Sequence, residues 1–266
     1  MEINGKKIST PTGSKAAKCD ICGKVFYYTP VSFNGQEYGR PRLCPEHQRQ
    51  FEAEEEKKRL IKQEKERQAR AIRSWENICP PLYRSTDPSR LPQVPFKKVM
   101  SWHYGPRGLV LYGPTGTGKT RCAYLLIREI MRTRVLEEKF PNRPVDKEKL
   151  LAYDSTDFAN ECSDAFYNGR GSTWCRKMIN VPLLLIDDLG NEPSGERGSG
   201  ELFHIIKRRS EELLPVIITT NAVGDEMSKK VRGPLDRGLA LVRRVREFCE
   251  PIPFGIPPKK GGRDEQ

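Results

Sequence analysis

The 266-residue chain has no apolar run approaching the length of a membrane span. Its N-terminus also lacks the basic, apolar and small-residue succession of a secretory leader. The expected setting is therefore cytoplasmic, with no membrane partner. In a reducing compartment the eight cysteines are read as metal ligands or small buried side chains rather than disulfides. Apolar residues are scarce at 36%, against 31% charged, so part of the chain must be a solvated segment rather than core. Acidic residues are in deficit: 47 Lys and Arg against 35 Asp and Glu leave a net charge of +12. That balance favours a polyanionic partner, although a generally basic surface accounts for it equally well. The length fits one large domain and one small one.

What is present centres on Gly113-Pro114-Thr115-Gly116-Thr117-Gly118-Lys119-Thr120, which fits G-x-x-x-x-G-K-[ST]. An apolar run (108–112) precedes it and reads as a buried strand; 121–130 follows and reads as a helix. Strand, Gly-rich loop and helix is the context in which this motif binds a nucleoside triphosphate. The glycines let backbone N–H groups surround phosphate oxygens, and the helix N-terminus adds partial positive charge. Lys119 reaches the β- and γ-phosphates, and the Thr120 hydroxyl ligates Mg²⁺. The cofactor-binding set is 113–120 together with Arg121, and the cofactors are ATP and Mg²⁺.

A second constellation lies near the N-terminus. Cys19-Asp20-Ile21-Cys22 and Cys44-Pro45-Glu46-His47 are C-x2-C and C-x2-H pairs. Four such ligands suit a tetrahedral, structural Zn²⁺ with no open position. Between the pairs, 25–28 reads as a strand and Asn34-Gly35 as a turn. So short a module holds little core, and metal would supply much of its folding energy. Residues 46–76 then turn to Glu, Lys, Arg and Gln, with Leu60, Ile61, Ala69 and Ile72 sparsely spaced. They read as a charged helical spacer, or a helix that meets a partner. The Pro-broken stretch that follows could pack on the nucleotide base through Tyr83.

Further along, 150–154 reads as a strand, with Ser155 capping a helix over 156–167; 168–172 reads as a loop. The run Val181 to Ile186 reads as a central parallel strand buried on both faces, ending in Asp187 and Asp188. Carboxylates there emerge where ligands bind in open α/β sheets. Asp187 is placed to hold Mg²⁺, and Asp188 to orient or deprotonate the attacking water. The stretch 190–200 reads as a mobile loop and about 201–213 as a helix carrying Lys207, Arg208 and Arg209. Those three suit either DNA phosphates or a solvated face. A strand over 215–221 ends in Asn221, within reach of the γ-phosphate or the attacking water. The last helix (234–248) puts Leu241, Val245 and Phe248 on one face and Arg243, Arg244 and Arg246 elsewhere. Residues 249–254 read as an edge strand that tolerates proline.

The order of these motifs resembles the AAA+ ATPases. The 113–120 loop, Leu184-Leu185-Ile186-Asp187-Asp188-Leu189-Gly190, Ile218-Thr219-Thr220-Asn221 and Leu241-Val242-Arg243-Arg244-Val245 most resemble the DnaC/DnaI helicase loaders and the IstB-like ATP-binding proteins. The resemblance covers 75–254. It implies an α/β core with a parallel sheet flanked by helices, and an ATPase that assembles as a homo-oligomer. Asn221 would be the sensor-1 residue and Arg244 the arginine finger reaching a neighbour's ATP, with Arg243 the second choice. Two departures stand out: many AAA+ enzymes carry Glu where this chain has Asp188, and little sequence after Phe254 is left for a helical lid. The expected domains are a zinc module (1–50), a charged helical linker (51–76), the ATPase core (77–254) and a disordered tail (255–266). The expected catalytic residues are Lys119, Asp187, Asp188, Asn221 and Arg244. The expected function is a replicative helicase loader on single-stranded DNA. The alternatives are a transposition regulator that contacts a transposase, and a zinc-anchored adaptor using nucleotide as a switch. A small-molecule P-loop kinase suits the Asn221 strand tip and the Arg244 helix less well.

Overall fold

The computed structural model describes residues 2–3, 6–7, 13–34, 36–133, 135–139, 149–190, 196–222 and 235–255. The chain divides into two compact units, 1–68 and 69–266, and the division falls inside the expected 51–76 linker. The first unit consists of antiparallel strand pairs: β1 (Glu2–Ile3) with β2 (Lys6–Lys7), β3 (Lys15–Lys18) with β4 (Val25–Tyr28), and β5 (Val31–Phe33) with β6 (Gln36–Tyr38). The strand expected at 25–28 is β4. Asn34 takes the positive φ of a turn, +50°, while Gly35 lies outside the described residues. The helix α1 (Pro45–Ile78) carries the charged stretch as one continuous helix. Exposed pairs such as Lys58–Glu54 and Arg59–Glu56, four and three residues apart on one helix face, lie along it. Within the second unit, Trp75 near its end is buried and donates Nε1–H to the Tyr124 carbonyl at 2.9 Å.

The second unit is built on β7 (Gly108–Tyr112), β8 (Leu150–Asp154), β9 (Leu183–Leu189), β10 (Val216–Thr220) and β11 (Cys249–Pro253). They form one five-stranded sheet in the order β11-β7-β10-β9-β8, every pair parallel. Parallel strands require crossovers, and helices supply them. Ahead of β7 come α2 (Pro81–Arg84) and α3 (Gln93–Met100); the crossovers carry α4 (Lys119–Arg132), α5 (Val135–Lys139), α6 (Ser155–Tyr167), α7 (Gly171–Asn180), α8 (Glu196–Glu211) and α9 (Leu235–Phe248).

The strands are apolar throughout because both faces are covered. Leu109, Leu111, Leu183, Leu185 and Ile217 join one buried cluster with Val99, Ala123, Leu126 and Ile127 of α3 and α4. Val110, Leu184, Ile186, Val216 and Ile218 join the other with Phe158, Trp174, Met178, Ile205 and Val245 of α6 to α9. β11 is the expected edge strand, where Pro251 and Pro253 remove no interior ladder bond.

Several expectations are corrected. The cap of α6 is Asp154, whose carboxylate accepts from the Thr156 N–H, while the Ser155 hydroxyl donates to the Asp188 carbonyl instead. α7 starts at Gly171, inside the expected loop. α8 starts at Glu196 rather than about 201; 191–195 lie outside the described residues, as do 140–148, 223–234 and the tail beyond Gly255. The largest correction concerns Arg209, read as a phosphate contact or a solvated side chain. It is fully buried, and donates to the carbonyls of Met178 (2.8 Å), Ile179 (3.0 Å), Val181 (2.7 Å) and Pro215 (2.6 Å). Burial brings its guanidinium down to about 9. It ties the end of α7 to the start of β10, because those carbonyls would otherwise be buried without donors. Arg208 pairs with Glu211 and Glu212, and Lys207 is exposed.

Candidate functional site

The loop between β7 and α4 is shaped by two glycines in left-handed backbone that L side chains rarely adopt. Gly113 has φ +139°, and a Cβ there would stand 2.0 Å from the Phe254 carbonyl oxygen; Gly118 has φ +91°, with Leu91 Cδ2 2.9 Å from its Cβ position. These are the two glycines the motif requires. Lys119 follows at the first turn of α4. Its buried Nζ donates to the Gly113 and Pro114 carbonyls and to Asn221 Oδ1, each at 2.8 Å. Burial lowers its pKa, and the Asp188 and Asp187 charges oppose that shift.

Thr120 donates its hydroxyl to Asp187 Oδ1 at 2.9 Å. Asp187 is 8% exposed, and burial raises its pKa against the Thr219 and Thr120 hydrogen bonds. Its hydrogen-bond donors are neutral hydroxyls, so its charge is left for a cation to balance. A hydroxyl and a buried carboxylate at this spacing fit Mg²⁺, an oxygen-seeking ion that binds with one or two protein ligands and substrate phosphates. Asn221 Nδ2 donates to Asp188 Oδ1 at 2.7 Å, so Lys119, Asn221 and Asp188 form one hydrogen-bonded chain.

All of these groups face a cleft of about 1080 Å³. Residues 115–121 line it together with Asp187, Asp188 and Asn221, while Gly113 and Pro114 contribute carbonyls to Lys119. The opposite wall comes from 82–92, including Tyr83. Tyr83 stacks on Tyr124 with centroids 5.6 Å apart, and the Arg121 guanidinium lies 5.4 Å over its ring. Arg121 also donates to Thr86 Oγ1 at 3.0 Å, so it braces this wall. Arg244, by contrast, is not among the cleft residues; it lies on α9, 3.6 Å from Glu247, beside the Arg243–Glu247 pair. Sequence reasoning missed Asp154 and Thr219, both of which line the cleft. The signal for Thr219 was its position two residues before Asn221, on the same strand face.

In the first unit, Cys19, Cys22, Cys44 and His47 bring their ligand atoms within 4.8 Å of one another. Cys19 Sγ is 3.5 Å and Cys44 Sγ 3.2 Å from His47 Nδ1, and Cys22 Sγ is 3.9 Å from Cys44 Sγ. Tetrahedral Zn²⁺ with sulfur at about 2.3 Å separates its ligands by about 3.5–3.8 Å, so the donor set fits that ion. Desolvation opposes ionisation of Cys19, but the backbone at Cys22, Cys44 and Ile21 brings its thiol down to about 6.

Residues 83–253, more than half of the chain, match the family model described as IstB-like ATP binding protein. The chain belongs to this family. The match makes it an IstB-like ATP binding protein, and the matched residues contain the loop, paired acids and polar strand tip already described. Among curated proteins it is 32% identical over 133 residues to the replication factor C large subunit of Nanoarchaeum equitans, covering 48% of this chain and 26% of that one. It is 29% identical over 119 residues to the chromosomal replication initiator DnaA of Deinococcus radiodurans, covering 44% and 22%. The IstB-like chain thus spans about a quarter of the length of these relatives. A solved DnaC helicase loader aligns at 20% identity and TM-score 0.46, covering 66% of this chain and 99% of that one. Among the described residues, no helix is long and apolar enough to cross a membrane.

Proposed function

We propose that this IstB-like protein hydrolyses ATP and serves DNA replication as a loader of a replicative helicase, working as an oligomer on single-stranded DNA. The observation that carries the ATPase reading is the convergence of Lys119, Thr120, Asp187, Asp188 and Asn221 on one cleft. On this reading the triphosphate draws Lys119 Nζ away from the loop carbonyls. Thr120 and Asp187 would hold Mg²⁺, which would neutralise charge developing on the phosphates. Asp188 orients or deprotonates the attacking water, and Asn221, joined to both Lys119 and Asp188, registers the γ-phosphate. Arg244 of a neighbouring protomer supplies the finger, in keeping with its not lining its own cleft. The net charge of +12 and the two replication-protein relatives support a role on DNA. Zn²⁺ on Cys19, Cys22, Cys44 and His47 would hold together the module that grips the protein partner.

The name of the matching family favours a second reading, a transposition regulator that contacts a transposase. The test is steady-state ATP hydrolysis with and without single-stranded DNA, beside capture by purified replicative helicase and by transposase. Lys119→Ala should lose ATP binding at least about 100-fold. Arg244→Ala should bind ATP normally but hydrolyse it at least about 100-fold more slowly, and recover when mixed with chains carrying an intact finger. Wild-type turnover in Lys119→Ala removes the phosphate site; wild-type turnover in Arg244→Ala removes this finger. Capture of transposase without helicase replaces the loader with the regulator.

A further inference from the structure

The two acids at the end of β9 present a geometric problem. In an uninterrupted strand, successive side chains point to opposite faces, and Asp187 and Asp188 could not serve one cleft. Along β9, Leu183 and Leu185 join the α3–α4 cluster, and Leu184 and Ile186 the opposite one. Leu189 should then lie with Leu185, but it is buried with Leu184 and Ile186. The alternation has slipped by one residue. The pairing with β10 shows where: Ile218 stands opposite Ile186, and Thr220 opposite Leu189. Thr219 alone therefore faces both Asp187 and Asp188, and Asp188 takes up the extra residue at φ +54°. This is a β-bulge, a device that re-aims side chains and leaves ladder groups unpaired. Here it turns both carboxylates into the cleft.

Thr219 closes the bulge. Its Oγ1 accepts from the Asp188 N–H at 2.8 Å and donates its own proton to Asp187 Oδ1 at 2.5 Å. A hydroxyl has one proton, so the polarity is set: the amide must be accepted and the carboxylate given the proton. The residue is 1% exposed, so its hydroxyl makes these two bonds with little competition from solvent. The Thr120 hydroxyl donates to the same Oδ1. Asp187 is thus oriented by two hydroxyls, one from the phosphate loop's helix and one from β10. Packing alone does not account for Thr at 219, because valine has nearly the same shape and would fill the same space.

We infer that Thr219 is a positioning residue: its hydroxyl holds the Asp187–Asp188 bulge in the form that binds Mg²⁺ with nucleotide and aims Asp188. The inference rests on the ATPase reading above. It is tested with a fluorescent ATP analogue, titrated against the full chain in EDTA and in Mg²⁺, alongside kcat, KM and thermal melting. Thr219→Val and Thr219→Ala are compared with Thr219→Ser, Lys119→Ala and wild type. Val and Ala should bind nucleotide in EDTA like wild type, lose about tenfold or more of the Mg²⁺ enhancement, and lose kcat more than KM. Ser, which keeps the hydroxyl, should restore both. Should the Val variant melt below the assay temperature, the Ala variant carries the same comparison. Wild-type Mg²⁺ enhancement and kcat in Val or Ala overturn the inference, as does a Ser variant damaged as badly as Val. Failure of the ATPase reading has a different signature: Lys119→Ala would bind nucleotide like wild type.

Discussion

Residues 1–68 and 69–266 reach order by opposite means. Among the described apolar residues of the first unit, the buried ones are Ala17, Cys19 and Cys44, and two of these belong to the candidate metal site. Ile21, Val25, Val31 and Phe33 are more than half exposed. The second unit buries both faces of a parallel sheet under helices. A chain without a core needs a crosslink or a metal; a chain with two clusters does not. The comparison also explains why cysteine means different things in the two halves. Cys19, Cys22 and Cys44 converge with a histidine, whereas Cys79, Cys122, Cys162, Cys175 and Cys249 are buried in the second unit and belong to no such cluster among the described residues.

The largest effect should come from metal removal. Structural Zn²⁺ in small domains contributes about 10–16 kcal/mol near neutral pH. Chelation should therefore unfold 1–68, read as lost dispersion of its amide NMR signals, while nucleotide binding by the second unit persists. Equal loss in both units would break the comparison. Chemical labelling separates them next. Burial pushes the Cys79 thiol up to about 11 and the Cys122 and Cys249 thiols up to about 12. Cys175 is also pushed up to about 12, by burial first and then by Glu201. At pH 8, below all four values, these thiols stay protonated, with a thiolate fraction of about one in 10³ or less. In chelated protein, iodoacetamide followed by mass spectrometry should modify Cys19, Cys22 and Cys44 at least about a hundredfold faster than these four. Comparable rates would show that the second unit opens as readily as the first. The third test acts inside the large unit. Arg209→Met keeps the volume but leaves buried carbonyls without donors, and should lower stability by about 3 kcal/mol in denaturant titrations. A change within about 0.5 kcal/mol, the value for an ordinary surface site, would return Arg209 to the surface role first read for it.

Wherever the chemistry is local, it was legible in the chain. The phosphate loop, each cysteine or histidine knuckle and the polar tip at Asn221 lie in short segments, where covalent spacing alone groups the side chains. The continuous apolar runs announced strands buried on both faces, and Pro251 with Pro253 announced an edge. Tertiary structure decided matters that depend on which distant segments pair. Arg209 follows two helix-surface neighbours in sequence, yet it is buried because the end of α7 and the start of β10 place their carbonyls around it. Asp187 and Asp188 are adjacent residues that a regular strand would send to opposite faces. Only the register of β10 against β9, set by packing on both sides of the sheet, opens the bulge that brings them together and places Thr219 across it.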